Sequence, residues 1–364
     1  MKVKMTKAVL ADALKKVQDT PDAKATLPVL RNALVAAKDG KISFITTDLD
    51  QTTRVEVACE VEEPGVTTIP VKLLATMCAK STEGEVKIAV DAKDKAKITA
   101  GTAEFKLAGM PASEFPTLPA DEDGTEFTIK QSLLKGMLHR VRFASSKDDT
   151  RRTLKGVMLS FKGGQLACVA TDGRRLAYIE EVIDGIGDGE QEIILPSKAV
   201  DVLMKHLAGE GDCQIKLIKT QLRIDLGSFQ IYTKLADDKY PNYRQVIPKQ
   251  WAHTITIDRQ TLLDALDRCA VLSSDSTCVS VKIETGRLIV SSNASDVGEA
   301  RDEMAVKYDD EETIEARFNP YYLMDPLKVT DVDEITFNMT DGATPVVIKD
   351  GTTFLSVLMP LRVS

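Results

Sequence analysis

GGQLACVATD, residues 163–172, reads as a glycine turn, an alternating strand and a polar turn, and the chain carries this phrase three times. The other versions are DGKISFITTD (39–48) and TGRLIVSSNA (285–294), and Gly40, Gly164 and Gly286 are spaced by 124 and 122 residues. Two further landmarks keep the period. LADALKKV (10–17), LKGMLHRV (134–141) and LLDALDRC (262–269) place leucine at i and i+4 and an apolar residue at i+7, one face of a helix. Leu10, Leu134 and Leu262 lie 124 and 128 residues apart. IPVKLLATM (69–77), LPSKAVDVLM (195–204) and FNPYYLMDPL (318–327) each predict a short helix with proline just inside its start, where a missing N–H costs little. Pro70, Pro196 and Pro320 are spaced by 126 and 124. Three unrelated landmarks with one period mark three tandem domains.

The 364 residues suit that division, since domains usually hold roughly 100–150 residues. Polar, proline-bearing joints at PADEDG (119–124) and PKQWAH (248–253) set the domains at 1–120, 121–250 and 251–364. Within each, the order helix, strands, helix, strands looks internally duplicated. EVKIAV, AKITA, EFKLAG, QIKLI, LRIDLG and FQIYTKL alternate apolar and polar residues, as antiparallel strands with one wet face do. The fold class is therefore α+β, three repeats of two helices backed by antiparallel sheets.

Hydrophobic residues make up 43% and charged residues 28%, the mixture of soluble globular domains. MKVKMTKAVLADALKK is broken by charge, so no signal peptide is expected there, and no apolar run approaches the ~20 residues of a membrane span. Six cysteines without a CxxC pair read as reduced thiols, so a cytoplasmic protein is expected. A net charge of −8 argues against a generally basic nucleic-acid binder. The charge is nevertheless segregated. The first helices carry Lys15 and Lys16, His139, Arg140 and Arg142, and Arg268; the second carry Lys72, Lys80, Lys198, Lys205, His206 and Lys328. Acids collect in EVACEVEEPG, EEVIDGIGDGEQE and YDDEETIE. Singly, each lysine is ordinary surface decoration. If the repeats form an arc with helices inside, the lysines line one concave surface that holds a phosphate backbone without reading bases. The arc's free ends are sheet edges, and twofold pairing closes two arcs into a six-domain ring.

Signs of catalysis are missing. Gly40-Lys41 is followed by Ile42, where a Walker loop needs Ser or Thr. GIGDGE (185–190) is acidic and ends on Glu190, so it reads as a loop between strands. No GxSxG or HExxH occurs, and His139, His206 and His253 lack metal-ligand spacing. Pairs such as Asp148-Asp149 and Asp237-Asp238 stand near no nucleophile or ligand motif. No metal and no cofactor is expected.

The repeat, TDGRRLA (171–177), KYPNYRQVIP (239–248), FNPYYLMDPL and the terminal VLMPLRVS (357–364) together resemble the bacterial DNA polymerase III β subunit, the β sliding clamp family, across essentially the whole chain. The resemblance implies a homodimeric ring, pseudo-sixfold, that encircles duplex DNA and gives the polymerase processivity without catalysis of its own. A separate ATP-driven loader would open it. The partners implied are the polymerase III α subunit, clamp-loader subunits and other replication or repair proteins, bound through short linear peptides. The family's peptide groove maps onto Leu154, Thr171, Gly173, Arg174, Arg175, Leu176, Pro241, Val246, Val357, Leu358, Met359, Pro360, Leu361 and Arg362, with Asn319, Tyr322 and the neighbourhood of Pro345 on the third-domain side. Arg175 would brace the slot or bond peptide carbonyls, and Arg174 would reach outwards. The dimer seam maps onto Phe105 and Leu107 against Val271 and Leu272. For DNA, Lys24, Arg151 and Arg152 match or neighbour family positions near the duplex, beside the helix residues Lys15, Lys16, Lys72, Arg140, Lys198 and Lys205. Gln245 stands where an arginine often shapes the groove, and Arg174 replaces a histidine or tyrosine. Two competing readings are a peptide-recruiting scaffold that never rides DNA and a nuclease built from scattered carboxylates.

Overall fold

The computed structural model describes residues 1–22, 25–118, 123–183, 189–236, 239–272, 278–294 and 298–361. The first repeat comprises β1 (Lys2–Thr6), α1 (Lys7–Val17), β2 (Asn32–Lys38), β3 (Lys41–Thr47), β4 (Gln51–Ala58), β5 (Glu60–Glu63), β6 (Gly65–Pro70), α2 (Val71–Lys80), β7 (Glu85–Val90), β8 (Lys95–Ala100) and β9 (Ala103–Ala108). The second comprises β10 (Thr125–Lys130), α3 (Gln131–Val141), β11 (Gly156–Lys162), β12 (Gln165–Thr171), β13 (Arg175–Val182), β14 (Glu190–Pro196), α4 (Ser197–His206), β15 (Asp212–Ile218), β16 (Gln221–Asp225) and β17 (Phe229–Lys234). The third comprises β18 (His253–Asp258), α5 (Arg259–Ala270), β19 (Val279–Glu284), β20 (Arg287–Ala294), β21 (Gly298–Ala305), β22 (Ile314–Phe318), α6 (Pro320–Lys328), β23 (Glu334–Met339), β24 (Val346–Lys349) and β25 (Leu355–Leu358).

The predicted helical faces are the buried ones. Leu10, Leu14 and Val17 of α1, Leu134, Leu138 and Val141 of α3, and Leu262, Leu266 and Cys269 of α5 are each at most 1% exposed. Each such aliphatic side chain contributes about 1.5–3 kcal/mol by leaving water. The starts of α1, α5 and α6 are fixed by Thr6, Asp258 and Asn319, whose side chains accept first-turn backbone N–H bonds. The prolines differ from expectation. Only Pro320 lies inside its helix; Pro70 is the cap residue and Pro196 ends β14. In those two, the strand runs up to the ring before the chain turns helical.

Among the described residues the strands form four antiparallel sheets, in the orders β5-β1-β7-β8-β9, β10-β15-β16-β17-β4-β3-β2-β6, β14-β11-β12-β13-β25-β24-β23-β18 and β21-β20-β19-β22. Each repeat thus divides its strands between two sheets, and each eight-stranded sheet joins strands of two successive repeats. The joints are β17 on β4, with Gln51 opposite Thr233, and β13 on β25, with Leu176 opposite Val357. Two compact units follow: Met1–Gln131 with His206–Leu235, and Ser132–Lys205 with Ala236–Ser364. All six cysteines are free thiols, four of them buried.

Candidate partner-binding groove

The second unit holds the turn between β12 and β13. Its backbone is set by two short side chains. The Thr171 hydroxyl donates to the Arg175 carbonyl (2.6 Å) and accepts from Gly173 N–H (3.1 Å). Asp172 Oδ1 accepts from Arg174 N–H (2.9 Å) and Arg175 N–H (3.0 Å), an Asx turn. Between them Gly173 stands at φ +87°, in the left-handed region that favours glycine.

Arg175 is 8% exposed, and all three of its guanidinium nitrogens are engaged. Nε donates to Asp172 Oδ2 (3.1 Å), Nη2 to the Phe143 carbonyl (2.7 Å) and Nη1 to Asp325 Oδ2 on α6. Its Cζ lies 4.2 Å from the Tyr322 ring centroid, which adds cation–π attraction. These contacts tie the turn to α6 and to the Phe143 carbonyl. Asp172 therefore pairs with the neighbouring arginine and also fixes the turn. Arg174 is exposed, and its carbonyl accepts from Met359 N–H (3.1 Å), which ties the end of the chain to the turn.

An apolar cleft of about 200 Å³ opens beside this turn. Leu154, Thr171, Gly173, Arg174, Arg175, Leu176, Pro241, Val246, Val357 and Met359, all expected, line it together. Leu176 and Val357 face each other across the β13–β25 pairing and pack with Met158, Val169, Val347 and Tyr243 in one buried cluster. Val246 and Met359, 54% and 50% exposed, form the lips. Asn242 and Tyr243 also line the cleft and were not anticipated. The visible clue was the pair of aromatics, Tyr240 and Tyr243, that flank Pro241 and Asn242 in KYPNYRQVIP (239–248). Burial raises the pKa of both Tyr243 and Tyr240, so these phenols stay neutral.

The remaining groove candidates lie elsewhere. Leu358 faces the opposite side of β25, in the core of the third repeat, because successive strand residues alternate faces. Tyr322 packs on that core behind Arg175, and Asn319 caps α6. Pro360 and Leu361 follow the strand past the cleft, and Leu361 N–H donates to the Arg317 carbonyl at 2.7 Å. Pro345 is half-buried and does not line the cleft. Arg362, Lys24, Asp237-Asp238 and most of GIGDGE lie outside the described residues.

The proposed DNA-facing cations are heterogeneous. Lys15, Lys72, Arg152 and Lys205 are exposed and Lys198 is half-buried. Lys16 pairs with Asp12 (2.7 Å), and Arg140 reaches the buried Asp350 (3.4 Å). Arg151 donates to the Asp172 carbonyl (3.1 Å), so it supports the groove turn as well. For the seam, Phe105 and Leu107 lie on β9, an edge strand, with Leu107 buried and Phe105 half-buried. Val271 is 80% exposed directly after α5, and Leu272 is half-buried. Among the described residues no group of three or more His, Cys, Asp or Glu could hold a metal ion.

Known proteins resemble this chain along its whole length. Residues 1–119, 128–242 and 244–362 match the N-terminal, central and C-terminal domains of the DNA polymerase III beta subunit. The beta sliding clamp of Chlamydia muridarum is 31% identical over 363 residues, covering 100% of this chain and 99% of that protein. The crystal structure of the DNA polymerase III subunit beta from Pseudomonas aeruginosa has a TM-score of 0.95 at 30% identity, with both chains covered completely. The DnaN sliding clamp from Bartonella birtlesii, solved bound to griselimycin, has a TM-score of 0.95 at 32% identity, again with full coverage of both chains.

Proposed function

We propose a function from one premise: the chain belongs to the DNA polymerase III beta subunit family, the beta sliding clamps. It is a DNA sliding clamp. Two copies close a ring around duplex DNA, and the ring tethers the replicative polymerase and other partners so that they stay on the template. The chain supplies topology and a tether and no chemistry of its own; it works in the cytoplasm. Three domains, 1–120, 121–250 and 251–364, make each half-ring.

The observation that carries the tethering role is the meeting of Leu176, Val357, Val246 and Met359 around one small apolar cleft with an arginine-braced turn. A slot of that size takes the leucine or aromatic anchor of a short linear peptide. The edge strands β9 and β21 offer unpaired backbone groups for a second copy. Exposed lysines on α1, α2 and α4 supply cations that grip phosphates loosely enough to slide.

Retention on DNA tests the ring. Purified protein loaded on nicked circular DNA is expected to stay bound and to run off after linearisation, with charge reversal of Lys15, Lys72, Lys198 and Lys205 shortening retention. Equal retention on both forms, or none on circles, overturns the reading. For the groove, Leu176→Asp is expected to weaken a polymerase-derived peptide by about 2 kcal/mol or more, as at a buried hot spot, in a fluorescence titration. Leu272→Asp is expected to give monomers by sedimentation with peptide binding retained.

A further inference from the structure

The groove turn has a twin in the first unit. We propose that the cleft beside that twin is a second docking site, for an extended peptide that presents hydroxyl or carboxamide side chains between apolar ends. This goes beyond the tethering groove, and either site can fail without the other.

The twin lies 124 residues earlier, in TDLDQTT (47–53). Its hydrogen bonds repeat one for one. The Thr47 hydroxyl donates to the Gln51 carbonyl (3.1 Å) and accepts from Leu49 N–H (3.1 Å). Asp48 Oδ1 accepts from Asp50 N–H (3.0 Å) and Gln51 N–H (2.7 Å). A cleft of about 510 Å³ lies beside it, walled by Thr52 and Thr233, which stand 124 residues before Leu176 and Val357. The turn is the same, but the partner strand is paired one residue out of step, with Thr52 opposite Tyr232 where Leu176 stands opposite Val357, and the lining is polar instead of apolar.

Four features say what it takes. Leu49 stands at φ +79° where the groove turn has glycine, and its side chain is 47% exposed at the cleft. A strained bulky residue that also shows apolar surface needs a reason, and an anchor for a partner supplies one. Leu118, 36% exposed in the same wall, is a second apolar contact. Between those apolar contacts the accessible lining is polar and neutral, with Thr117 exposed and Gln221 and Tyr232 half-buried. Such groups call for hydrogen-bonding partners, which hydroxyl and carboxamide side chains provide. Asp50 and Lys234 already pair at 3.3 Å in the wall, so the cleft asks for no net charge. A neutral, hydrogen-bonding occupant complements it.

The test uses the full chain and a fluorescein-labelled, end-capped peptide of sequence leucine–glutamine–threonine–glutamine–leucine. Anisotropy is expected to show saturable binding below about 1 mM, equal within about twofold for Leu176→Asp, which disables the groove. The double variant Gln221→Leu/Tyr232→Phe is expected to lose about tenfold, because its walls no longer hydrogen-bond. Leu49→Asp, exposed and compatible with folding, is expected to lose a similar factor and serves if the double variant misfolds. Absence of binding by the wild type, loss of binding in Leu176→Asp, or unchanged binding in Leu49→Asp overturns the proposal.

Discussion

The turns at Thr47–Thr52 and Thr171–Leu176 share their backbone hydrogen bonds, and they differ in what the fifth residue does. Arg175 spends its guanidinium on Asp172, Asp325 and the Phe143 carbonyl, whereas Gln51, at the matching place, is buried with its amide unpartnered. The threonine and aspartate fix the loop in both cases. The buried side chain then decides whether the loop is clamped to a neighbouring helix. One backbone device thus supports an apolar slot in one repeat and a polar cleft in another, because the turn's geometry is held by its own two short side chains.

Swapping features between the copies tests that separation. The largest effect is expected from Arg175→Gln, which removes a buried cation and leaves Asp172 and Asp325 facing no charge. A loss of about 3 kcal/mol in the unfolding free energy of the second unit is expected in urea melts, as for removal of one partner of a buried pair. A near-neutral result would mean that the brace is ornamental and the turn is self-sufficient in both copies. Leu176→Thr, which copies Thr52, is expected to cost about 2 kcal/mol of peptide affinity by isothermal calorimetry, because the slot loses an apolar wall. Gly173→Leu, which copies Leu49, is expected to destabilise by about 1–2 kcal/mol through the left-handed backbone. An added Cβ there also meets Arg151 Nη1 at 3.2 Å, and that flexible tip can give way. Leu49→Gly is expected to change stability by less than about 1 kcal/mol, since strain relief is offset by the freedom glycine gives the unfolded chain. A larger gain would show that more strain is held at Leu49 than the backbone angle implies.

Much of this was readable in advance, for identifiable reasons. The helical faces of α1, α3 and α5 follow from leucine spacing, and burial confirms them at Leu10, Leu134 and Leu262. Most residues that line the cleft beside the second turn were legible through TDGRRLA and the terminal VLMPLR. Taking the tail as a block placed Leu358 in the slot, although period-two alternation sends it to the core when Val357 and Met359 face the cleft. The hidden twin was not seen, because its walls are threonines, and threonine in a strand looks like any other strand residue. The eight-stranded sheets were illegible as well. Alternation says which residues face inward and nothing about pairing with a strand more than a hundred residues away.

That long-range pairing has a consequence for synthesis on the ribosome. β4 is complete by Ala58, yet its outer neighbour β17 is not made until Phe229–Lys234, roughly 170 residues later, a delay on the order of 10–30 s at ordinary elongation rates. During that interval the nascent first repeat carries a row of bare amides and carbonyls beside a growing chain, and β13 waits in the same way for β25. The newborn polypeptide is therefore most exposed to mispairing with its own copies on crowded polysomes, and a chaperone that covers strand edges would serve it best before residue 229 has emerged.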